Sequence, residues 1–309
     1  MRILVYVKMW LGHGGAEQSM RILAEGLRDR HGHSVEVICG DVAGRPGFEG
    51  PVKGLAEHVA RHRPDIVLTQ LAWSKNLSKA RKDLRVPVVQ FIRCGIPPEK
   101  GLHHIYNSKW NMARHKGHGL VLYPPIWFAW SKTSMDMSKR QYVTMMSTSH
   151  HKGGDLLKPL AALLPKVKFL GITGFGGTQV KNFGDLPNLT LQKKLGPTRV
   201  HEIYEKTRVM ILPARHESFG RTVAEALYNR IPVISSSKPG VRESGNGFVD
   251  FIKGLDPKDW APVVCARYKD YRSMSEKAIA WAKQFSAGTI IDQLEEQLKQ
   301  IMNKTGGSK

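Results

Sequence analysis

Short apolar runs recur along this chain, each followed by a longer stretch with apolar residues at helical spacing. The runs fall at residues 2–8, 34–39, 65–71, 86–92, 103–107 and 119–123, and again at 142–147, 167–171, 188–191, 208–213, 231–236 and 247–251. Bounded runs of about four to eight apolar residues read as strands, and their alternation with helical stretches predicts β-α-β units and parallel sheets. The series breaks at Pro124-Pro125, after which residues 127–140 read as a linker and the entry to a second domain. A last helix is predicted over 289–302, with Ile290, Ile291, Leu294, Leu298 and Ile301 on one face. Residues 303–309 form a polar tail with no structural signal.

One strand leads into candidate chemistry. The segment ILPARHESFGRTVAEAL, from Ile211 to Leu227, reads as strand, short polar loop, then a helix starting at Gly220. Such a junction is a ligand site at the carboxyl end of a parallel strand. A helix N-terminus suits a phosphate, through free N–H groups and a positive dipole end. Glu217 lies on the loop and Glu225 is placed about two turns into the helix, eight positions later. A carboxylate at Glu225 can accept two hydrogen bonds from a ribose diol, and Glu217 can reach hydroxyls of a second sugar. Two sugars joined by a diphosphate describe a nucleotide sugar. Glutamates at this spacing also occur as plain solvated residues, so the spacing alone does not decide.

Composition narrows the class. The chain has 309 residues, enough for two medium domains with separate cores. No apolar run approaches the roughly 18 residues of a membrane span, and the opening MRILVYV reads as a strand rather than a signal peptide. Cys39, Cys94 and Cys265 are odd in number, fall on elements predicted to be buried, and form no C-x-x-C. That argues against a disulfide framework or zinc site and for a reducing, cytoplasmic compartment. The unusual quantity is charge: 47 Lys and Arg against 26 Asp and Glu, a net of +21. Between Ser74 and His118 the bases include Lys75, Lys79, Arg81, Lys82, Arg93 and Arg114, opposed only by Asp83 and Glu99. Such an excess speaks to anionic partners, not to fold. It can equally be a solvated basic face.

Motifs in a fixed order carry a resemblance over most of the chain. They are Arg2–Val7 with Gly12 and Gly14-Gly15-Ala16-Glu17, Tyr106–Trp110, Tyr123–Ile126, Lys152-Gly153-Gly154, Leu163-Leu164-Pro165, and Phe169-Leu170-Gly171. The Glu217–Ala226 segment, Ile231–Ser235, Pro239-Gly240, Glu243 and Phe285-Ser286 complete the series. This order resembles retaining glycosyltransferases of the GT-B fold, in particular glycosyltransferase family 4. The resemblance implies an α/β chain of two Rossmann-like, doubly wound parallel-sheet domains facing across a cleft. Residues 1–126 would form the acceptor domain, with a C-terminal helix at about 286–309 crossing back, and 127–285 the nucleotide-sugar domain.

The resemblance also implies roles. Glu217, Lys152 and Arg93 would be catalytic. Gly14, Gly15, Lys152, Glu217, Ser218, Phe219, Gly220 and Glu225 would hold the donor, with Glu225 on the ribose, Glu217 on the transferred sugar and Lys152 on the diphosphate. A cation there offsets charge that grows as the nucleoside diphosphate leaves. Three departures stand out. Met146-Ser147 replaces the family's G-R before the lysine, with Arg215, Arg221, His150 or His151 as substitutes. Arg93 stands where the family has a His, and an Arg cannot act as a base. Arg230 replaces a Gly and leaves that turn's conformation open. His13 reads as a loop residue.

No D-x-D occurs, so the metal-holding motif of the other main glycosyltransferase fold is missing and no metal or other cofactor is expected. The family likeness implies a nucleotide sugar, UDP-sugar favoured, as donor, and retention by front-face attack. Compact, very basic GT-B chains resemble phage enzymes that glycosylate hydroxymethylated bases in DNA. Lys75, Lys79, Arg81, Lys82 and Arg114 would then face the acceptor. The alternatives are a membrane-surface enzyme acting on a glycolipid or polysaccharide precursor, and an inactive nucleotide-sugar or DNA binder. Trp127, Phe128 and Trp130 would serve lipid insertion or a domain interface.

Overall fold

The computed structural model describes residues 1–10, 14–39, 55–93, 95–126, 137–174, 176–196, 198–273 and 276–306. Gly12, His13, Cys94 and the cluster Trp127, Phe128 and Trp130 lie outside the described residues, as do the side chains of Arg81 and Lys82. The chain divides into two compact units, Met1–Pro125 with Phe285–Lys309, and Ile126–Gln284.

The first unit is a parallel sheet in the order β2-β1-β3-β4-β5-β6. Its strands are β1 (Arg2–Val7), β2 (Ser34–Cys39), β3 (Ile66–Gln70), β4 (Val88–Ile92), β5 (His103–Tyr106) and β6 (Leu120–Val121). Among the described residues the helices α1 (Gly15–His31), α2 (Leu55–His62), α3 (Ser74–Leu84) and α4 (Lys109–Arg114) connect them. The period-two side-chain alternation of a strand separates two cores. Ile3, Val5 and Val7 of β1 join Met20, Leu23 and Leu27 of α1. Leu4 and Tyr6 face the other way, toward Leu77 and Leu84 of α3.

In the second unit β7 (Tyr142–Met145), α5 (Leu157–Leu163), β8 (Lys168–Thr173), β9 (Leu189–Lys193), α6 (His201–Lys206) and β10 (Thr207–Leu212) come first. Then follow α7 (Arg221–Tyr228), β11 (Val233–Ser236), α8 (Pro239–Gly245), β12 (Val249–Ile252), α9 (Pro257–Lys269) and α10 (Glu276–Lys283). The strands pair in parallel in the order β12-β11-β10-β7-β8-β9. Val209 and Ile211 of β10 pack with α5 and α9, and Met210 and Leu212 pack with α7 and α8. All twelve strands coincide with the runs anticipated from the sequence, with ends shifted by a few residues. Among the described cysteines, Cys39 is buried as expected, whereas Cys265 on α9 is half-buried, because it lies one position past Val264 in the Trp260–Val264 stripe that the helix buries; neither forms a disulfide.

The last helix, α11 (Ala287–Gly306), is longer than anticipated and belongs to the first unit. Ile290, Ile291, Leu294, Leu298 and Ile301 are buried on α1 and β1, each contributing about 1.5–3 kcal/mol through apolar burial. Among the described residues no helix is long and apolar enough to cross a membrane.

Polar contacts fix the azimuth of α11. Arg30 chelates Asp292 at 2.6 and 2.7 Å, an exposed pair of small worth. His33 Nε2 meets Glu295 Oε2 at 2.5 Å with both side chains nearly buried, and Lys299 approaches the same carboxylate at 3.2 Å. Burial alone would raise the Glu295 pKa, but hydrogen bonds from His33 and Lys299 outweigh it and the net direction is downward. A carboxylate with a depressed folded pKa contributes stability that is present above its unfolded pKa and is lost as pH falls through the folded value. The expected outcome is an acid limb of stability below about pH 4.3 that is shallower in Glu295→Gln. Urea denaturation between neutral and acid pH measures it, and parallel limbs in the two proteins would contradict it.

Candidate functional site

In the second unit β7 leads through α5 to β8 on one flank, whereas β10 leads through α7 to β11 on the other. β7 and β10 are neighbours, so the loops leaving their carboxyl ends part in opposite directions. An open parallel sheet binds ligands at such a switch point. Lys152 lies on the first loop, and Glu217 and Glu225 lie beyond the second strand.

Lys152 ends a single 3₁₀ turn, His150–Lys152, closed by Gly153 at φ 78°. A Cβ on Gly153 would stand 2.0 Å from the Pro213 carbonyl oxygen. Glycine therefore lets this turn press against the loop after β10. The seam is sewn by the Arg215 amide donating to the His151 carbonyl at 3.0 Å. Lys152 Nζ consequently reaches Glu217 Oε2 at 2.5 Å, with the side chains 28% and 15% exposed.

Glu217 is held from behind as well. Its Oε1 accepts from the Ser218 amide at 3.2 Å. Gly240 makes room for this loop, since a Cβ there would stand 2.4 Å from the Ser218 carbonyl. Ser218 and Phe219 are buried, and Gly220 caps α7 in the left-handed region at φ 84°. The pair of expected donor ligands, cation and carboxylate, thus neutralises itself.

Glu225 is the fifth residue of α7, little more than one turn in rather than two. It is buried, which removes the reading as a plain solvated residue. Its Oε2 accepts from the Tyr204 hydroxyl at 2.5 Å, and its Oε1 meets Arg221 Nε at 3.0 Å. Sequence reading missed Tyr204. It lies on α6, 21 positions away, and one buried Tyr gives no local signal. Burial, then the Glu225 charge and hydrogen bond, push the Tyr204 pKa far above the ordinary phenol value.

The candidate substitutes for the missing diphosphate Arg are otherwise engaged. Ser147 Oγ meets Ser149 Oγ at 3.0 Å. Arg215 and His150 both bind Asp155, at 2.9 and 2.7 Å, and Arg221 serves Glu225. Burial, then Lys152, hold the His151 imidazole below its ordinary pKa against an opposing pull from Glu217. Lys152 differs from these in that its partner, Glu217, is itself an expected donor ligand. Arg230 resolves the open turn: it adopts φ 56°, the left-handed conformation that its usual Gly adopts freely. Buried Arg140 donates to the Asn229 and Arg230 carbonyls at 2.6 and 2.7 Å, and the Arg230 guanidinium binds Glu276.

The remaining site candidates belong to the first unit. Gly14 caps α1 and Gly15 begins it. Arg93, just past β4, is buried with its guanidinium 5.5 Å from the Phe91 ring centroid. Lys75, Lys79 and Arg114 are exposed, the last over the Trp110 ring. Gly153→Ala should destabilise the protein by at least about 1–2 kcal/mol, the order of a strained left-handed residue, and should weaken any ligand that needs Lys152. Urea denaturation checks the first part, and unchanged stability would contradict the packing argument.

The chain is similar to known proteins in sequence and in fold. Residues 131–250 match the family model described as Glycosyl transferases group 1. D-inositol 3-phosphate glycosyltransferase of Mycolicibacterium vanbaalenii is 29% identical over 167 residues, covering 46% of this chain and only 37% of that protein. Anabaena HepE, solved in complex with UDP and glucose, superposes with a TM-score of 0.75 at 18% identity, over 97% of this chain and 99% of that one. A glycosyltransferase from Rickettsia africae gives a TM-score of 0.78 at 15% identity, over 100% and 99% of the two chains. The chain therefore has the GT-B fold, and residues 131–250 of it are similar to the Glycosyl transferases group 1 family.

Proposed function

We propose that this chain is a retaining, metal-independent, family 4-like glycosyltransferase that uses a nucleotide sugar, UDP-sugar by preference. The observation that carries the reading is the meeting of Lys152 and Glu217 at the β7–β10 switch point, with Glu225 buried one helical turn beyond. The family match over 131–250 and the fold shared with a protein solved with UDP and glucose support it. In the proposed reaction the acceptor hydroxyl oxygen forms a bond to the anomeric carbon on the face from which the phosphate departs. The leaving phosphate oxygen takes the hydroxyl proton, so no protein base is needed. Lys152 moves from Glu217 to the diphosphate and offsets its growing charge. Glu217, released, accepts hydroxyls of the transferred sugar. The role expected of Arg93, at the transferred sugar or a phosphate, is part of the same proposal.

A nucleoside diphosphate should raise the melting temperature by several degrees with EDTA present, and Lys152→Met should remove most of that shift. Differential scanning fluorimetry with UDP, GDP and ADP tests this. No shift with any of the three would end the donor reading.

The acceptor we favour is DNA bearing hydroxymethylated bases, reached in the host cytoplasm by a phage-type enzyme. Net charge +21 supports it, since phosphate contacts supply most of such affinity. The exposed Lys75, Lys79 and Arg114, together with Arg81 and Lys82 on α3, are the proposed contacts. Leu77 and Leu84 of α3 are buried in the unit's own core, which speaks against this helix lying in a membrane surface. A phosphorylated small polyol is the second reading, favoured by the name of the Mycolicibacterium relative. Labelled donor sugar offered with hydroxymethylcytosine duplex, plain duplex, inositol phosphate and anionic vesicles separates these. Label should enter the modified duplex alone and fade as salt rises; label only in another acceptor would contradict the DNA assignment.

A further inference from the structure

We propose that Tyr204 is a positioning residue that orients Glu225 toward a ribose diol and thereby sets a preference for ribonucleotide over deoxyribonucleotide donors. The inference rests on the donor reading above and goes beyond it.

Glu225 is buried, and Tyr204, which bonds it, belongs to an apolar cluster with Met210, Leu212 and Val223; a carboxylate so placed keeps its charge only if its oxygens are hydrogen-bonded. Two groups do this from two elements. Tyr204 donates from α6 to Oε2, and Arg221 donates from α7 to Oε1. Arg221 alone would leave the carboxylate free to rotate about its bond to Oε1. Tyr204 supplies the second fixed point, and its ring is 2% exposed within the same apolar cluster, so it has little freedom of its own.

A carboxylate oxygen has two lone-pair directions. Tyr204 and Arg221 occupy one on each oxygen, which leaves one on each for a ligand. Two acceptor positions on one rigid, planar group suit two hydroxyls on adjacent carbons. A ribose offers that pair at its 2′ and 3′ positions, and a 2′-deoxyribose offers one hydroxyl, leaving a desolvated acceptor unpaired. Sites built to bond a hydroxyl reject the analogue lacking it strongly for this reason. The phenol stays protonated across the physiological range, because burial and the adjoining carboxylate raise its pKa. It therefore remains a donor.

The test is the ratio of dissociation constants for a 2′-deoxynucleoside diphosphate and its ribo counterpart, measured by calorimetry on the whole protein. The nucleotide is whichever of UDP, GDP and ADP binds most tightly. Wild type should favour the ribo form by about 10-fold or more. Tyr204→Phe should lower this ratio at least threefold while the deoxy form binds within twofold of wild type. Equal weakening of both forms would mean that Tyr204 is merely structural and would overturn the proposal. Glu225→Gln should also lower the ratio. If it does not, the ribose assignment of Glu225 fails, and this inference with it. If Tyr204→Phe alone does not fold, Tyr204→Phe/Glu225→Gln is compared with Glu225→Gln. Matching ratios support the proposal, because Tyr204 then has no charged carboxylate to orient; a further drop contradicts it.

Discussion

The ion pair between Lys152 and Glu217 is the contact on which the site depends. It joins the loops that leave two adjacent parallel strands in opposite directions, and it exists because Gly153 lets one loop lie against the carbonyl of Pro213 in the other. Two partly buried opposite charges at 2.5 Å satisfy each other without a ligand. Removing either partner leaves the other poorly compensated, which costs more than the pair itself contributes. A ligand that carries both an anion and hydroxyls can replace the two partners together. One that carries only an anion takes Lys152 and leaves Glu217 facing it. Under the proposed function, the chemistry of the pair would favour a nucleotide sugar over its nucleoside diphosphate product.

Around that pair the fold is a device for holding short loops still. The alternation in β10 sends Val209 and Ile211 to one core and Met210 and Leu212 to the other, so the strand that delivers Glu217 is clamped on both faces. Gly240 brings α8 up against the Glu217–Ser218 backbone from one side. Arg215, far from serving as a spare phosphate ligand, ties the same loop to Asp155 and to the turn of Lys152. A surplus of basic residues at this edge is therefore partly structural. In the first unit Lys75, Lys79 and Arg114 are exposed, with Arg114 over the Trp110 ring.

Strands and the last helix were legible because their signal is local: apolar runs such as 208–213 and the spacing of Ile290, Leu294, Leu298 and Ile301. The loop of Glu217 and the K-G turn were legible for the same reason, being contiguous stretches of characteristic residues. What could not be read were partnerships between distant side chains. Tyr204 and Glu225 are separated by a strand and a loop, Arg140 and the carbonyl of Arg230 by 90 positions, and Lys152 and Glu217 by 65. Each is set by packing, so Glu217 and Lys152 were seen as separate ligands of one donor and not as each other's counterion. Arg230 shows the reverse case. A departure from a glycine pattern looked like a local disturbance, but tertiary contacts with Arg140 and Glu276 hold it in the left-handed conformation anyway.

The most direct measurement is a crystal structure of the protein with a nucleotide sugar, grown in the presence of EDTA. The account predicts the diphosphate within hydrogen-bonding distance of Lys152 Nζ, the ribose hydroxyls on Glu225, and the hexose against a Glu217 parted from Lys152. A nucleotide sugar bound elsewhere, or bound with the Lys152–Glu217 pair still closed, would contradict it.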